Sequence, residues 1–586
     1  MIENPENEQL ERSQPIDWIW FLACGVITVL ACFLRFFSLE MKPLHHDEGV
    51  NGHFLTALFQ EGAYKYDPAN YHGPTLYYLT LPFTKLFGLE TVPIRLSVAV
   101  WGVLIVVLAF YLRRYIGRIG SLFAALFLAI SPGMVYFSRY FIHEIFFAFL
   151  ALALVLSMAL FLEHKKPGWG AVAWMGLLLL ACFFPSTLNL SSAIAKENET
   201  LFWVISVAIF LIEAALVFLI MRMLLGWNEG RPIYLLLASA CVSLMFATKE
   251  TAFITLGTIM IACICLWIWP RIYPAAKDVN GEFHSAELSW PGFRTALGSG
   301  SDRILILVAA SAIFIYVGVL FFSSFFTYPE GVGKAFEAYA IWTKTGSKDH
   351  TQNGTWAYLK WGMEIEAPIM ILSAVGTAIA FFKPRSRFAM FTGLWAFGLF
   401  AAYSLIPYKT PWLALSFLLP MSIIGGFAIN ELASLKQPAA KAIAVIVTMA
   451  ACVVLSYQTY VLNFVRYDDE DMPYVYAHTK RPFLDLVAEI NRYAEKSGKG
   501  QHAKIQVVSP EYWPLVWYLK DNPQALFHGR IAPADKAEMI IAKKGDQDSD
   551  VARRYSTEYE YAGMWGLRPG VDLVLLVRKD LADKDR

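Results

Sequence analysis

About thirteen stretches of roughly 17–25 mostly apolar residues, each long enough to cross a bilayer as a helix, constrain this chain more than any other feature. They begin near Trp18, Pro93, Ile119, Ile145, Trp169, Leu201, Pro232, Thr251, Ile304, Ala367, Phe388, Pro411 and Ala440. Inside lipid the backbone must satisfy its own hydrogen bonds, so such runs fold as helices. The expected fold class is therefore a polytopic α-helical membrane protein. The make-up of the chain agrees, with 57% of 586 residues hydrophobic and 17% charged. A net charge of +1 excludes nucleic acid as a partner on bulk charge. All seven cysteines (Cys24, Cys32, Cys182, Cys241, Cys263, Cys265 and Cys452) fall inside apolar runs. That placement argues against a disulfide framework and against a cysteine metal site.

Charge in the connecting segments orients the spans. Arg113, Arg114 and Arg118 follow the second run; His164, Lys165 and Lys166 the fourth; Arg222 and Arg231 bracket the end of the sixth. Arg271 and Lys277 follow the eighth, Lys383, Arg385 and Arg387 the tenth, and Lys436 and Lys441 the twelfth. Every even exit is basic, which predicts a cytoplasmic N-terminus in the cell membrane. The acidic start, Met1–Gln14, lacks a basic region and cleavage site, so Trp18–Leu39 reads as a retained span. The expected organisation is a tail over 1–17, a membrane domain over 18–466 and an extracytoplasmic domain over 467–586. The external segments are then Glu40–Thr91, Ser131–Glu144, Asn189–Thr200, Thr248–Glu250, Thr327–Glu366, Ile406–Thr410 and everything after Tyr467. In that last part, Ile505–Ser509, Gln524–Phe527, Glu538–Ala542, Tyr559–Gly563 and Val571–Val577 read as strands. Leu484–Lys496 and Tyr512–Lys520 read as helices, together a small α/β domain.

The chemistry collects in the external segments. The first, about fifty residues long, is of the length at which ordered loops usually serve function. It carries adjacent carboxylates, Asp47 and Glu48, flanked by His45, His46 and His53. Ionisable clusters at membrane depth point to a site; the competing reading is Asp47 capping a helix that starts near Gly49. Adjacent residues point in different directions, so only one of the pair can serve as a base. The other orders the loop through a backbone amide, a histidine or a cation. Tyr71-His72-Gly73-Pro74 is turn chemistry before the aromatic run Tyr77-Tyr78, which suits sugar stacking and a membrane belt equally. Arg139 and His143 are four apart, so on a helix they would share a face, with Glu144 beside them. Lys249 and Glu250 fit an interfacial ion pair. His350, Trp356, Tyr358, Trp361, Glu364 and Glu366 mark the fifth segment. Lys409, next to Tyr408 and between two prolines, suits a phosphate group or a snorkelling lysine. Glu213, in mid-span, has no reading beyond packing against a polar partner.

His46-Asp47-Glu48-Gly49, Tyr71–Tyr78, Arg139 with His143-Glu144, Thr355–Glu366 and Pro407–Trp412 resemble the motifs of GT-C glycosyltransferases. The likeness is to the protein O-mannosyltransferase and aminoarabinose-transferase branch and a prokaryotic glycan-assembly relative. The resemblance implies sugar transfer from a polyprenyl-phosphate donor to a glycan, lipid or protein hydroxyl on the extracytoplasmic side, with inversion. It implies catalysis at Asp47 and Glu48, with Asp47 as base. Lys409, Arg139 and Lys249 would bind the donor phosphate, and His46, His72, Tyr77, His143, Glu144, His350 and Tyr408 the substrates. A divalent cation at Asp47, Glu48 or Glu144 stays open beside a reading with no cofactor. Two rival functions stay open as well: a non-catalytic subunit assisting a flippase or polymerase in glycan assembly, and a secondary transporter. The transporter is disfavoured by the absence of a clear repeat.

Overall fold

A computed structural model describes residues 17–70, 72–272, 290–346, 354–382, 386–545 and 547–583. Each apolar run falls on a helix within them. Ten helices are long and apolar enough to cross a membrane, and two bent pairs raise the number to 12. The remaining run is the shorter apolar helix Pro232–Phe246. Tyr71, His350, Lys277, Lys383 and Arg385, and the tail through residue 16, lie outside the described residues.

Burial separates the inner helices from those that meet lipid. Pro411–Ala433 is 89% buried and packs against Arg118–Ile130, Ala367–Phe382 and Arg387–Leu405. Glu199–Gly230 is 11% buried and exposes Trp203, Leu211 and Phe218, which only a hydrocarbon surroundings accommodates cheaply. Its mid-span Glu213 accepts the Thr187 hydroxyl from the neighbouring helix, so the polar partner expected for it exists. All seven cysteines are free thiols.

Two breaks shape the interior. Arg118–Ile130 and Pro132–Ser138 meet at 56°, and Ala357–Ile365 and Ala367–Phe382 at 107°. Proline cannot donate a backbone N–H and restrains the residue before it, which accounts for breaks ahead of Pro132 and Pro368. The two breaks are tied together. The Glu366 carboxylate accepts the Ser131 hydroxyl at 2.7 Å and the Gly133 N–H at 2.8 Å, at the positive end of Pro132–Ser138.

The two ends of the bundle differ in chemistry. At one end Arg118 pairs with Asp17 at 2.7 Å, Arg114 with Glu163, and Lys166 and Arg231 with Glu229. These are basic exits of the second, fourth and sixth runs. The opposite end carries the first loop and the C-terminal domain. That domain holds a five-stranded sheet in the order β2-β1-β3-β5-β4. Its strands are β1 (Ile505–Val507), β2 (Ala525–Phe527), β3 (Met539–Lys543), β4 (Tyr559–Arg568) and β5 (Val571–Arg578). β2, β1 and β3 run parallel, and β5 is antiparallel to β3 and β4. Helix Pro482–Lys496 covers one face through Phe483, Leu486 and Ile490. Helix Asp548–Tyr555, which period reading did not detect, packs Val551 and Tyr555 on the other.

The first loop is fixed by one buried ion pair. Glu48 and Arg95 are both fully buried. Arg95 donates to the Glu48 carboxylate at 2.8 Å and 2.7 Å, and to the carbonyls of Leu39, Lys42 and Pro43. The same carboxylate accepts the N–H groups of His45 and Phe141, each at 2.9 Å. One side chain thus holds three chain segments. The loop helix His46–Glu61 begins here, and its cap is His45, whose Nδ1 accepts the Asp47 N–H. The expected cap at Asp47 is therefore corrected: His45 and Glu48 form the reciprocal box, and Asp47 sits in the first turn with its carboxylate available.

Removing one member of such a pair leaves a buried charge uncompensated. Glu48→Gln is expected to destabilise the fold by about 3–5 kcal/mol. Glu48→Gln with Arg95→Met should recover a large part of that loss. Unfolding midpoints in detergent check both, and a single variant as stable as wild type would mean the pair does not hold the loop.

Candidate functional site

The site is a cavity of about 260 Å³ between the first loop and the membrane domain. Its walls include His46, Asp47 and Asn51 of the loop helix, His72, His143 and Glu144, Lys249 and Glu250, Trp342, Tyr403, Tyr408 and Trp412. All but Tyr403 and Trp412 come from five of the segments that loop charge assigned to one side of the membrane. Hydropathy and charge alone do not require those segments to converge, so their meeting is an independent observation.

Backbone pairing brings the segments into register. Gly73 N–H donates to the Thr248 carbonyl at 3.0 Å, and the Thr75 and Thr248 hydroxyls lie 2.7 Å apart. A Cβ on Gly73 would overlap the Ala247 carbonyl, so this crossing requires glycine. The crossing sets His72 Nδ1 3.0 Å from Glu250. Lys249, on the same turn, donates to Glu144 at 2.6 Å. His143 Nε2 lies 3.2 Å from the Gly73 carbonyl, and its ring sits 4.9 Å from that of His72.

Electrostatics then sort the carboxylates. Burial alone would lower the Lys249 amine, but the Glu144 carboxylate outweighs it and keeps the amine charged. Burial would raise Glu250, but the His72 charge and hydrogen bond, aided by Lys249, hold it below the usual carboxylate range. Glu48 belongs to Arg95. Asp47 differs from all three. Its side chain is 39% exposed, and its ionisable partners include His45 at 3.9 Å and His46, adjacent in the chain. His45 Nδ1 accepts the Asp47 N–H and so carries no proton; its Nε2–H points to the Tyr476 carbonyl at 3.0 Å. The imidazole is neutral in that role and places no charge on Asp47.

Several expected site residues lie elsewhere. Glu48, named with Asp47 as catalytic, is enclosed by Arg95 and two N–H groups and does not line the cavity. Arg139 donates to the carbonyls of Leu34, Phe37 and Ser38 at the end of Trp18–Phe36 and does not line the cavity. Lys409 donates to the carbonyls of Tyr403, Ser404 and Ile406 in the same manner. Tyr77 is fully buried, donates to Asn51 at 3.1 Å and stacks on no open face. Among the described residues no three His, Cys, Asp or Glu side chains group as cation ligands. With Glu48 enclosed by Arg95, the carboxylate set named for a cation does not assemble. Residues that the sequence reading passed over include Arg95, whose position just inside an apolar run was a signal. Asn51, Asn70, Trp342 and Tyr403 gave none.

The architecture decides the relation to known proteins. A search of curated proteins by sequence gave no significant match. Residues 71–184 match the family model described as dolichyl-phosphate-mannose-protein mannosyltransferase. Crystalline ArnT from Cupriavidus metallidurans, bound to undecaprenyl phosphate, superposes with a TM-score of 0.56 at 15% identity. The alignment covers 96% of this chain and 99% of that one. The chain has the GT-C fold. The archaeal oligosaccharyltransferase AglB from Archaeoglobus fulgidus aligns over 96% of this chain and 76% of its own, at 13% identity and a TM-score of 0.47. Within the GT-C fold, the segment matched by the family model carries His72, Arg95, His143 and Glu144.

The His72–Glu250 pair yields a pH prediction. A carboxylate held below its usual value contributes stability that is present above its unfolded pKa and lost as pH falls through the folded one. His72→Gln removes the charge that holds Glu250 down, and burial then raises it. In the variant the buried Glu250 resists ionisation, so the stability deficit against wild type should be largest near neutral pH and shrink as the pH falls and protonation relieves it. Melting temperatures across pH 4–7 check this, and superimposable curves would show the pair uncoupled.

Proposed function

We propose that this protein is a glycosyltransferase that moves a sugar from a polyprenyl-phosphate donor to an acceptor hydroxyl at the extracytoplasmic side of the cell membrane. The observation that carries the reading is the state of Asp47. Of the four carboxylates at or beside the cavity, Glu48, Glu144 and Glu250 each face a cation, and Asp47 alone is half-open without one. A general base must be able to reach the proton it takes, and Asp47 lines the cavity with its carboxylate open to it.

The chemistry follows from the lining. Asp47 takes the proton as the acceptor oxygen attacks the anomeric carbon. The bond from that carbon to the phosphate oxygen breaks, and the pair of electrons leaves with the polyprenyl phosphate. Displacement from the opposite face inverts the centre. Lys249 has three N–H donors, of which Glu144 takes one, and is the lysine lining the cavity. It stabilises the charge that grows on the leaving phosphate. His72, His143, Tyr408 and Trp412 supply hydrogen bonds and an aromatic wall for the sugar. The bound undecaprenyl phosphate of the ArnT structure and the mannosyltransferase family model support a lipid-linked donor.

Asp47→Asn is expected to lower turnover of a polyprenyl-phosphate sugar about 10²–10⁴-fold. Donor affinity and melting temperature should stay at wild-type values. Normal turnover in that variant would place the base elsewhere. The two lysines should separate in opposite ways. Lys249→Met should weaken binding of undecaprenyl phosphate, whereas Lys409→Met should lower the melting temperature and leave that binding unchanged. The reverse pattern would return Lys409 to the donor site.

A further inference from the structure

The C-terminal domain reaches the cavity wall through a polar contact. Residues Trp513–Trp517 seat on the loop helix. A Cβ on Gly49 would come within 2.7 Å of Pro514, and one on Gly52 would overlap the Trp517 ring, so the two surfaces meet at backbone distance. The Trp513 ring lies 6.3 Å from that of His46 and 5.9 Å from that of His53. From the end of β4, Arg568 reaches over this contact. Its Nη2 donates to Glu511, which also accepts from Lys543 at 3.0 Å. Its Nη1 lies 3.2 Å from His46 Nδ1.

The identity of the partner fixes the histidine. A guanidinium has donors and no acceptor, so the ring nitrogen facing it must offer a lone pair. In a neutral imidazole the proton then sits on the other nitrogen. His46 lines the cavity next to Asp47. We infer that Arg568 is a positioning residue: it holds His46 as the Nε2–H tautomer, so that the imidazole meets a sugar in the cavity as a hydrogen-bond donor. Glu511 and Lys543 hold Arg568 in place, while Asp47 and His45 are the ionisable neighbours of His46 on its own helix. The C-terminal domain thus takes part in substrate recognition through one proton location. The role assigned to the sugar rests on the transferase reading; the tautomer does not.

The test uses the full-length protein in detergent, with its eleven histidines labelled with 15N. His46→Gln identifies the His46 signal. In wild type that signal should show an unprotonated Nδ1 and a protonated Nε2. Arg568→Met should move it toward the other tautomer or an average of the two, and Arg568→Lys, still a pure donor, should restore it. An unchanged His46 signal in Arg568→Met would overturn the inference. With a polyprenyl-phosphate sugar that wild type turns over, Arg568→Met should raise KM about tenfold, the worth of one hydrogen bond, and leave kcat within about threefold. A fall in kcat alone would also overturn the positioning role. If Arg568→Met does not fold, Glu511→Gln removes the anchor but keeps the guanidinium, and the same change in the His46 signal is expected. A tautomer set by Arg568 in a protein that turns over no such sugar would overturn the transferase reading and leave the tautomer standing.

Discussion

The Glu48–Arg95 pair is the constraint on which the rest of this structure depends. Two charges out of water are costly, and their mutual attraction compensates only when geometry is good and the remaining groups are bonded. Here every demand is met within one cluster: two N–H groups on the carboxylate and three carbonyls on the guanidinium. The cluster joins the chain after the first span, the start of Thr91–Phe110 and the turn at Phe141. Its consequence is directional. With Glu48 turned inward, the helix places Asp47 about 100° away, toward the cavity.

A second constraint comes from helix ends. Arg139 and Lys409 each terminate a membrane helix by donating to its last carbonyls. Carbonyls near lipid lack water, and a long cationic side chain is one of few groups that can reach them. Two of the cations expected at a donor phosphate therefore stand at helix ends outside the cavity lining, and Lys249 lines the cavity opposite Glu144.

How much was legible follows from these particulars. The spans were read because a run of apolar residues has one solution in a membrane. The five strands were read because period two survives in short segments, and helix Asp548–Tyr555 was missed because it is largely polar. Asp47, Glu144, Lys249 and Tyr408 were found as ionisable or aromatic residues in external segments. Arg139, Lys409 and Tyr77 have the same sequence appearance and different surroundings. What a side chain faces depends on contacts far apart in the chain, such as that of Gly73 with Thr248 or Arg568 with His46, and local pattern carries no trace of them.

The seating of Trp513–Trp517 on Gly49 and Gly52 also bears on how the molecule comes into being. A chain emerges from the ribosome N-terminus first. The helix bearing Asp47 is therefore among the earliest parts made, while Tyr476, Pro514, Trp517 and Arg568, which contact it and its cap, come from the last fifth of the 586 residues. Between the two events all the spans must enter the membrane. The helix bearing Asp47 thus waits without its cover until the C-terminal domain is made. The contact of Arg568 with His46 is thereby among the last to form.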